Sequence, residues 1–194
     1  MAGAYPDLLV VLGSATPPGR FRGALTAAVD CAGPGADLVD LADHPLPFAG
    51  SSAAADAGGV VEAIAGARAV VFATPVYRGS LSGVLKNLID LLPVEALAGK
   101  VVGLAAMGAT DHHFLGAERH LRDVLSFFGV VLAPVAVYLT SADFSDGEPS
   151  PTAALALDEL LAGVTALSEQ FEAHRDDGAA PEGAAAQLYR QRNR

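Results

Sequence analysis

The chain of 194 residues contains one cysteine, Cys31, and only 12 lysine and arginine residues against 22 aspartate and glutamate residues. A single cysteine excludes an intramolecular disulfide bond and any zinc site built from several cysteines, and it suits a reducing compartment. The formal net charge of -10 opposes binding to nucleic-acid phosphates and to anionic membrane surfaces. We therefore expect a protein that binds neither nucleic acid nor membrane.

Long hydrophobic runs and a basic leader are also missing. The longest apolar stretch, residues 127–139, is interrupted by Gly129 and Pro134 and is too short to span a bilayer. The first seven residues lack the positive charge of a secretory signal. Hydrophobic residues nevertheless make up 52% of the chain, enough for a packed core. These features predict a cytoplasmic protein with one domain over residues 1–175 and a polar C-terminal tail over residues 176–194.

Short apolar runs alternate with stretches of helical periodicity along the whole domain. The predicted strands cover residues 8–12, 37–41, 69–73, 100–106 and 130–139. A helical pattern follows each of them, and each crossover is long enough for parallel pairing. This alternation predicts an α/β flavodoxin-like three-layer sandwich with a five-stranded parallel sheet in the order 2-1-3-4-5. The loops after strands 1, 3 and 4 would then meet at one edge of the sheet, where such folds bind ligands.

The loop after the first strand, residues 13–20, contains donors suited to an anion. Ser14 and Thr16 offer hydroxyl groups, Arg20 and Arg22 are cationic, and a helix N-terminus follows. No acidic residue occurs between positions 7 and 30. The loop lacks the lysine and the glycine spacing of a Walker A motif. It therefore indicates a phosphate site of another type, or else an ordinary turn before a solvated helix.

The loops after strands 3 and 4 differ in character. Pro75 ends the third strand, because proline lacks the N–H that a central strand donates, and exposed-looking Tyr77 and Arg78 follow. In the loop after strand 4, small residues beside Gly108 let the backbone approach a flat ligand closely. The adjacent histidines at positions 112 and 113 have no third ligand nearby in the sequence, so we predict no metal site.

Three sequence motifs in these loops carry a resemblance to a known family. Residues 74–87 are similar to the pattern S/T-P-x-Y-K/R-G-S-x-x-G-x-L-K, residues 107–113 to T-G-G-S-x-x-H, and residues 13–20 to a G-S-P-x-x-x-S-R phosphate loop. The chain thus resembles the NAD(P)H-dependent FMN reductases of the flavodoxin-like fold, particularly the type associated with alkanesulfonate monooxygenases. The resemblance covers roughly residues 8–145, and its middle block is the most specific.

The resemblance implies FMN and NAD(P)H as cofactors and a set of FMN-binding residues at the matching positions. These residues are Ser14, Thr16, Arg20, Pro75, Val76, Tyr77, Arg78, Gly108, Ala109 and Thr110. The first three would hold the phosphate, and the residues from Pro75 to Tyr77 would lie along the edge of the isoalloxazine ring. The last three would contact the polar rim of the ring through the backbone.

The chain departs from the family pattern at Gly19, Phe21, Met107 and Ala109. Two of these changes remove hydroxyl groups near the phosphate, at a cost of about 0.5–1.5 kcal/mol each. We therefore expect FMN to bind loosely, as a substrate rather than a resident group.

The implied function is hydride transfer from a nicotinamide to FMN, with the reduced flavin supplied to a partner monooxygenase. The cofactors carry this chemistry, and no residue is assigned as catalytic. Two alternatives stay open: a reductase of quinones, azo dyes or metal oxyanions that retains FMN, and a non-catalytic electron carrier or binding module. We also expect a homodimer or homotetramer, because the helix after Ser80 has a broad apolar face, including Leu81 and Leu85.

Overall fold

The computed structural model describes residues 5–16 and 19–176, and its centre is a parallel β-sheet. The strands are β1 (Leu8–Leu12), β2 (Ala36–Asp40), β3 (Ala69–Pro75), β4 (Val101–Met107), β5 (Val131–Leu132) and β6 (Val137–Leu139). Strand β1 pairs with β2 and β3, β3 pairs with β4, and β4 pairs with β5 and β6, always in parallel. The predicted order 2-1-3-4-5 is confirmed, with β5 and β6 together in the fifth position.

The central strands are apolar along their whole length because helices cover both faces of the sheet. All five residues of β1 are buried, as are the first six of β3 and of β4. Alternate side chains of a strand point to opposite faces, so a strand covered twice needs apolar residues at every position. Only β2, at the edge, keeps partly exposed charge, which agrees with its predicted edge position.

Five helices form the outer two layers. They are α1 (Arg20–Ala32), α2 (Gly58–Gly66), α3 (Gly83–Leu91), α4 (Gly116–Ser126) and α5 (Pro151–Asp176). Buried side chains of α1 and α5 share one core with one face of the sheet, and those of α2, α3 and α4 share a second core with the other. The three-layer sandwich predicted from the alternation of strands and helices is therefore confirmed.

The last strand region, predicted over residues 130–139 with its proline indicating an edge position or a bulge, consists of two short strands. Residues 133–136 separate β5 from β6. Pro134 lies in this gap, and its missing N–H cannot take part in a ladder. The carbonyl of Ala133 instead accepts a hydrogen bond from the guanidinium of Arg122, 3.0 Å away.

The loop predicted over residues 141–151 contains a small hairpin. Strands β7 (Phe144–Ser145) and β8 (Glu148–Pro149) pair in antiparallel. Asp146 and Gly147 form the two-residue connection, and their φ angles of 53° and 89° are those of a type I′ turn. An Asp-Gly pair is a strong hairpin signal, but the flanking residues show too little apolar alternation to reveal the strands.

The broad apolar face of α3 is used within the chain itself. Leu85, Leu88 and Ile89 are fully buried in the second core, and Leu81 and Val84 pack against it. This face therefore leaves little surface for a partner subunit, and the predicted oligomer stays a prediction that needs other support. The proposed tail begins at the end of α5, and its residues 177–194 lie outside the described part of the chain. No helix of the described residues has the length and hydrophobicity needed to cross a membrane.

Candidate functional site

A crevice of about 340 Å³ lies at the carboxyl edge of the sheet, where the loops after β1, β3 and β4 meet. Its volume is within the range of small-molecule sites. Its lining residues are Leu12, Ser14, Thr16, Gly19, Arg20, Phe21, Arg22, Asp40, Pro75, Val76, Tyr77, Met107, Gly108, Ala109 and Ser141. The lining from the first loop, α1 and the end of β2 carries hydroxyl, guanidinium and carboxylate groups, whereas the lining after β3 and β4 is mainly apolar side chains and backbone.

The first loop places two hydroxyl groups close together. Ser14 Oγ lies 3.1 Å from Thr16 Oγ1, and the N–H of Thr16 donates to Ser14 Oγ over 3.3 Å. Helix α1 then begins after Gly19, which has no side chain with which to cap the helix. An uncapped helix N-terminus presents backbone N–H groups and the positive end of the helix dipole, both of which favour an anion.

The two arginines of α1 differ in their partners. Arg20 contacts the ring of Phe144, with its guanidinium carbon 5.7 Å from the ring centre, and it forms no ion pair within the described residues. Arg22 pairs with Asp40 over 3.3 Å and with Asp43 over 2.7 Å. The absence of acidic residues between positions 7 and 30 therefore does not persist in three dimensions, because the neighbouring strand β2 ends in Asp40.

A tight turn carries Tyr77 after β3. The N–H of Tyr77 donates to the carbonyl of Ser80 over 3.0 Å, and the N–H of Ser80 returns the bond over 3.1 Å. Arg78 and Gly79 have φ angles of 54° and 76°, as in a type I′ turn. The left-handed conformation costs a non-glycine residue such as Arg78 on the order of 1–2 kcal/mol. The turn presents Tyr77 with 45% of its surface exposed beside the crevice.

A buried hydrogen-bond network joins the first loop to the third strand. The hydroxyl of Ser82 donates to the carbonyl of Gly13 and accepts from the N–H of Leu85 over 3.0 Å. The N–H of Ser82 donates to Thr74 Oγ1 over 2.9 Å. Ser82 is thus the N-cap of α3 and the link between the two loops that face each other across the crevice.

The loop after β4 is held by Tyr138 of β6. The hydroxyl of Tyr138 donates to the carbonyl of Thr110 over 2.8 Å, and the N–H of Gly108 donates to the carbonyl of Leu139 over 2.9 Å. Burial, and then the charge of Asp111, raise the pKa of Tyr138, so this hydroxyl keeps its proton and remains a donor. A Cβ atom at Gly108 would overlap the Tyr138 oxygen, so any other residue here would force the Tyr138 hydroxyl to move.

The structure brings eight of the ten predicted site residues together at the crevice. Arg78 and Thr110 do not line it. Arg78 stands at the tip of the exposed turn, and the carbonyl of Thr110 is engaged by Tyr138. The role of each of the ten residues in binding FMN stays a prediction.

Sequence reasoning missed Asp40, Ser82 and Ser141 as residues that shape or line the site. The position of Asp40 at the end of a predicted strand was a usable signal for it. Ser82, followed by a helical pattern, had the signature of an N-cap. Nothing in the sequence alone points to Ser141.

A larger hollow of about 720 Å³ lies between α5 and the interrupted fifth strand. Apolar side chains such as Val135, Leu160 and Val164 dominate its lining, and none of the ten predicted site residues belongs to it. It has no cation that could hold a phosphate, so its greater size does not make it the better candidate for a flavin phosphate.

The architecture defines the chain as a protein of the flavodoxin-like fold. The sequence profile of the NADPH-dependent FMN reductase family matches residues 6–144, more than half of the chain. The chain therefore belongs to this family.

Curated relatives agree with this assignment. The chain is 38% identical over 113 residues to an NAD(P)H-dependent FAD/FMN reductase of Geobacillus thermodenitrificans, a match that covers 56% of this chain and 61% of the relative. The same figures hold for an FMN reductase (NADPH) of Pseudomonas aeruginosa. The chain thus spans about three-fifths of the length of these relatives. A third relative, the NADH-dependent FMN reductase SfnF of Pseudomonas putida, is 32% identical over 71% of this chain and 78% of its own length.

Solved structures with the same fold include two proteins described as oxidoreductases. The apo form of the NADH:FMN oxidoreductase EMOB superposes with a TM-score of 0.68 at 24% identity, over 82% of this chain and 88% of its own. The NAD(P)H:(acceptor) oxidoreductase FerB of Paracoccus denitrificans gives 0.67 at 21% identity, over 84% and 97%. At these identities the likeness establishes the fold alone.

Proposed function

We propose that this protein catalyses the NAD(P)H-dependent reduction of FMN. The observation that carries the proposal is the convergence of three loops on one crevice. The first loop and the start of α1 contribute hydroxyl groups, Arg20 and an uncapped helix N-terminus. The loops after β3 and β4 contribute the mainly apolar Pro75, Val76 and Met107. The names of the relatives, all of them flavin reductases, support the same reaction.

The donors present fit an FMN phosphate at the end formed by the first loop. Ser14 and Thr16 would donate their hydroxyl protons, and Arg20 would supply the charge that is not cancelled by an ion pair within the described residues. Charge-assisted hydrogen bonds of this kind are about twice as strong as neutral ones. This end of the crevice therefore selects a phosphorylated flavin over an uncharged one.

The opposite end fits a flat ring. Pro75 and Val76 end β3 as one wall, and the N–H of Val76 is engaged by the carbonyl of Met107 over 2.8 Å, which holds that wall in place. Gly108 also lines the crevice, and its missing side chain makes room for the Tyr138 hydroxyl that holds this loop. When bound, FMN supplies the acceptor for a hydride from the nicotinamide, and the protein orients the two rings and excludes water.

Reduced flavin would leave this site for a partner monooxygenase. This part of the proposal rests on the resemblance to reductases associated with alkanesulfonate monooxygenases and on loose binding of FMN. Because the relatives are named for NADPH, for NADH and for both, the crevice itself does not favour either nicotinamide.

The test is an assay of NADH and of NADPH oxidation by the purified protein with and without added FMN. We expect oxidation to require added FMN and to follow its concentration to saturation. Oxidation at the same rate without added flavin, by protein that carries one FMN per chain, would instead indicate a reductase that retains FMN. No oxidation of either nicotinamide would overturn the proposal and favour an electron carrier or a binding module.

A further inference from the structure

Two arginines and two aspartates lie at or beside the first-loop side of the crevice. Arg20 and Arg22 both line the crevice, but Arg22 lies between two acids, with Nη1 3.3 Å from Asp40 Oδ2 and Nη2 2.7 Å from Asp43 Oδ2. Both carboxylates pair with Arg22 and neither pairs with Arg20. Among the described residues that line the crevice, Arg20 is therefore the only cation without an ion pair that could bind a ligand phosphate.

Asp40 is the inner of these two acids, and its environment is unusual. Only 3% of the residue is exposed, and it lines the crevice beside Ser14 and Arg20. Its Oδ1 accepts from the N–H of Ala42 over 2.9 Å, whereas its Oδ2 has no hydrogen-bond donor. Within the described residues, the only charged group that pairs with Oδ2 is the guanidinium of Arg22. A buried carboxylate oxygen that lacks a donor holds its one counterion strongly.

The fold places Asp40 there by the register of two strands. Leu12, the last residue of β1, lies opposite Asp40, the last residue of β2. Both strands therefore end at the same level, and the carboxylate reaches the loop that follows β1. Asp43 follows three residues later in a turn closed by the bond from its N–H to the carbonyl of Asp40, 3.1 Å long, and it is half-exposed.

We propose that Asp40 is a specificity-determining residue that limits the affinity for the phosphate of FMN. It does so by holding Arg22 in an ion pair and by adding a negative charge to the crevice that receives a phosphate. The inference rests on the proposed function and deepens it, because a reductase that releases reduced FMN needs a phosphate site that binds loosely. Asp40 touches no reacting atom and plays no part in the transfer of hydride.

The test compares FMN with riboflavin, which has the same ring and no phosphate. Dissociation constants are measured by quenching of flavin fluorescence for the wild type and for Asp40→Asn, which preserves the shape of the side chain and the acceptor for Ala42. We expect Asp40→Asn to bind FMN about tenfold more tightly, the effect of freeing one charge-assisted contact. The affinity for riboflavin should stay within twofold. Unchanged or weaker FMN binding would overturn the inference, as would an equal gain for riboflavin.

Three further variants make the result specific. Glu62→Gln makes the same change of net charge on the exposed surface of α2 and should leave FMN binding unchanged. The double variant Asp40→Asn with Arg22→Gln should lose the gain, and a double variant as tight as Asp40→Asn would overturn the role given to Arg22. Should Asp40→Asn fail to fold, Asp40→Ser decides: it also removes the carboxylate that pairs with Arg22, so FMN should bind more tightly while riboflavin is unchanged. A folded Asp40→Ser variant with no gain for FMN would overturn the inference.

The wild-type measurement separates this inference from the proposed function. A wild type that neither quenches with FMN nor oxidises NAD(P)H would overturn both. A wild type that reduces FMN, together with an Asp40→Asn variant that gains no affinity, would leave the function standing and remove the inference alone.

Discussion

The hydroxyl of Ser82 donates a hydrogen bond to the carbonyl of Gly13, across a sequence separation of 69 residues. Ser82 is the N-cap of α3, and Gly13 is the first residue after β1. The contact is buried and ties the loop proposed to hold the phosphate to the loop proposed to edge the ring. A Cβ atom at Gly13 would lie 2.4 Å from the Cβ of Leu85, so the close approach of the two elements also requires glycine.

Ser82→Ala should destabilise the fold and weaken FMN binding together. It removes an N-cap, which is worth about 1 kcal/mol, and leaves the buried carbonyl of Gly13 without a donor, which costs about 1–3 kcal/mol. Urea unfolding should show a loss of about 2–4 kcal/mol, the sum of the two terms. Ser126→Ala is the control, because its hydroxyl bonds the carbonyl of Asp123 at the exposed end of α4. Equal losses in both variants would contradict the role given to Ser82.

Gly108→Ala should be destabilising because its Cβ would overlap the hydroxyl of Tyr138. The expected loss is about 1–3 kcal/mol, as for other overpacked sites. Adding Tyr138→Phe should recover part of it, because the oxygen at 2.0 Å disappears while Cζ remains at 2.9 Å. Gly163→Ala in α5, where no atom lies within 4 Å, should instead stabilise the protein by up to about 1 kcal/mol. Thermal unfolding of the four proteins distinguishes these outcomes.

Arg20→Ala should weaken the binding of FMN by about 1.5–3 kcal/mol, which is what hydrogen bonds to a charged group contribute. The affinity for riboflavin should change little, because riboflavin lacks the phosphate. Fluorescence titration with both flavins measures the difference, and Arg119→Ala on the exposed side of α4 is the matched control. Equal losses for the two flavins would place the phosphate elsewhere.

Lys100 should titrate well below an ordinary lysine. Its ammonium donates to the carbonyls of Ile64, Ala65 and Ala67 over 2.6–2.7 Å, but burial outweighs these bonds and lowers its pKa to about 8. Between pH 8 and the ordinary value of 10.5, the folded chain then binds fewer protons than the unfolded chain. The contribution of Lys100 to the free energy of unfolding therefore rises with pH across that interval.

The ¹³Cε resonances of lysine-labelled protein test this directly, because the chain has only two lysines, Lys86 and Lys100. Lys100→Met removes one resonance and so assigns it. A midpoint near 8 for that resonance is the expected result. A midpoint at or above the ordinary value would show that the three carbonyl acceptors outweigh burial.

The chain should form a dimer or tetramer in solution. The apolar face of α3 is buried in the chain itself, so the support now comes from large side chains left exposed elsewhere, such as Phe48 at 77% and Phe114 at 60%. Sedimentation of the full chain at micromolar concentration should give a multiple of 19.6 kDa. Phe114→Ser should lower this mass if its surface is the interface. A full-length mass equal to one chain would exclude the oligomer.

Truncation after Arg175 tests the predicted tail. Its glycines and alanines show no period, and its few apolar residues cannot offset an ordering entropy of about 1–2 kcal/mol per residue. We expect the truncated chain to keep its FMN reduction rate and its oligomer mass. A rate lower by more than about tenfold, or a smaller mass, would show that the tail is part of the working structure.

The sequence predicted the sheet and the place of the site because both depend on local patterns. Short apolar runs rich in β-branched residues, such as residues 69–73, favour strands covered on both faces, and their alternation with helices favours one economical strand order. Over residues 130–151 the same patterns gave less detail: they predicted a strand region with a proline irregularity, but neither its division into two strands nor the small hairpin that follows. The break at Pro134 and the turn at Asp146 were visible in the sequence, but the strands beside them are two or three residues long, too short to carry a period.

The sequence by itself determined which residues are able to hold a phosphate, because hydroxyl groups, arginines and a helix start are local features of the first loop. Only the tertiary structure decided how that loop is charged. Asp40 lies 20 positions after Arg20 in the chain, and the parallel register of β1 and β2 returns it to the same crevice. Coulombic interactions depend on distance in space, so a run without acids in the sequence does not ensure a site without them.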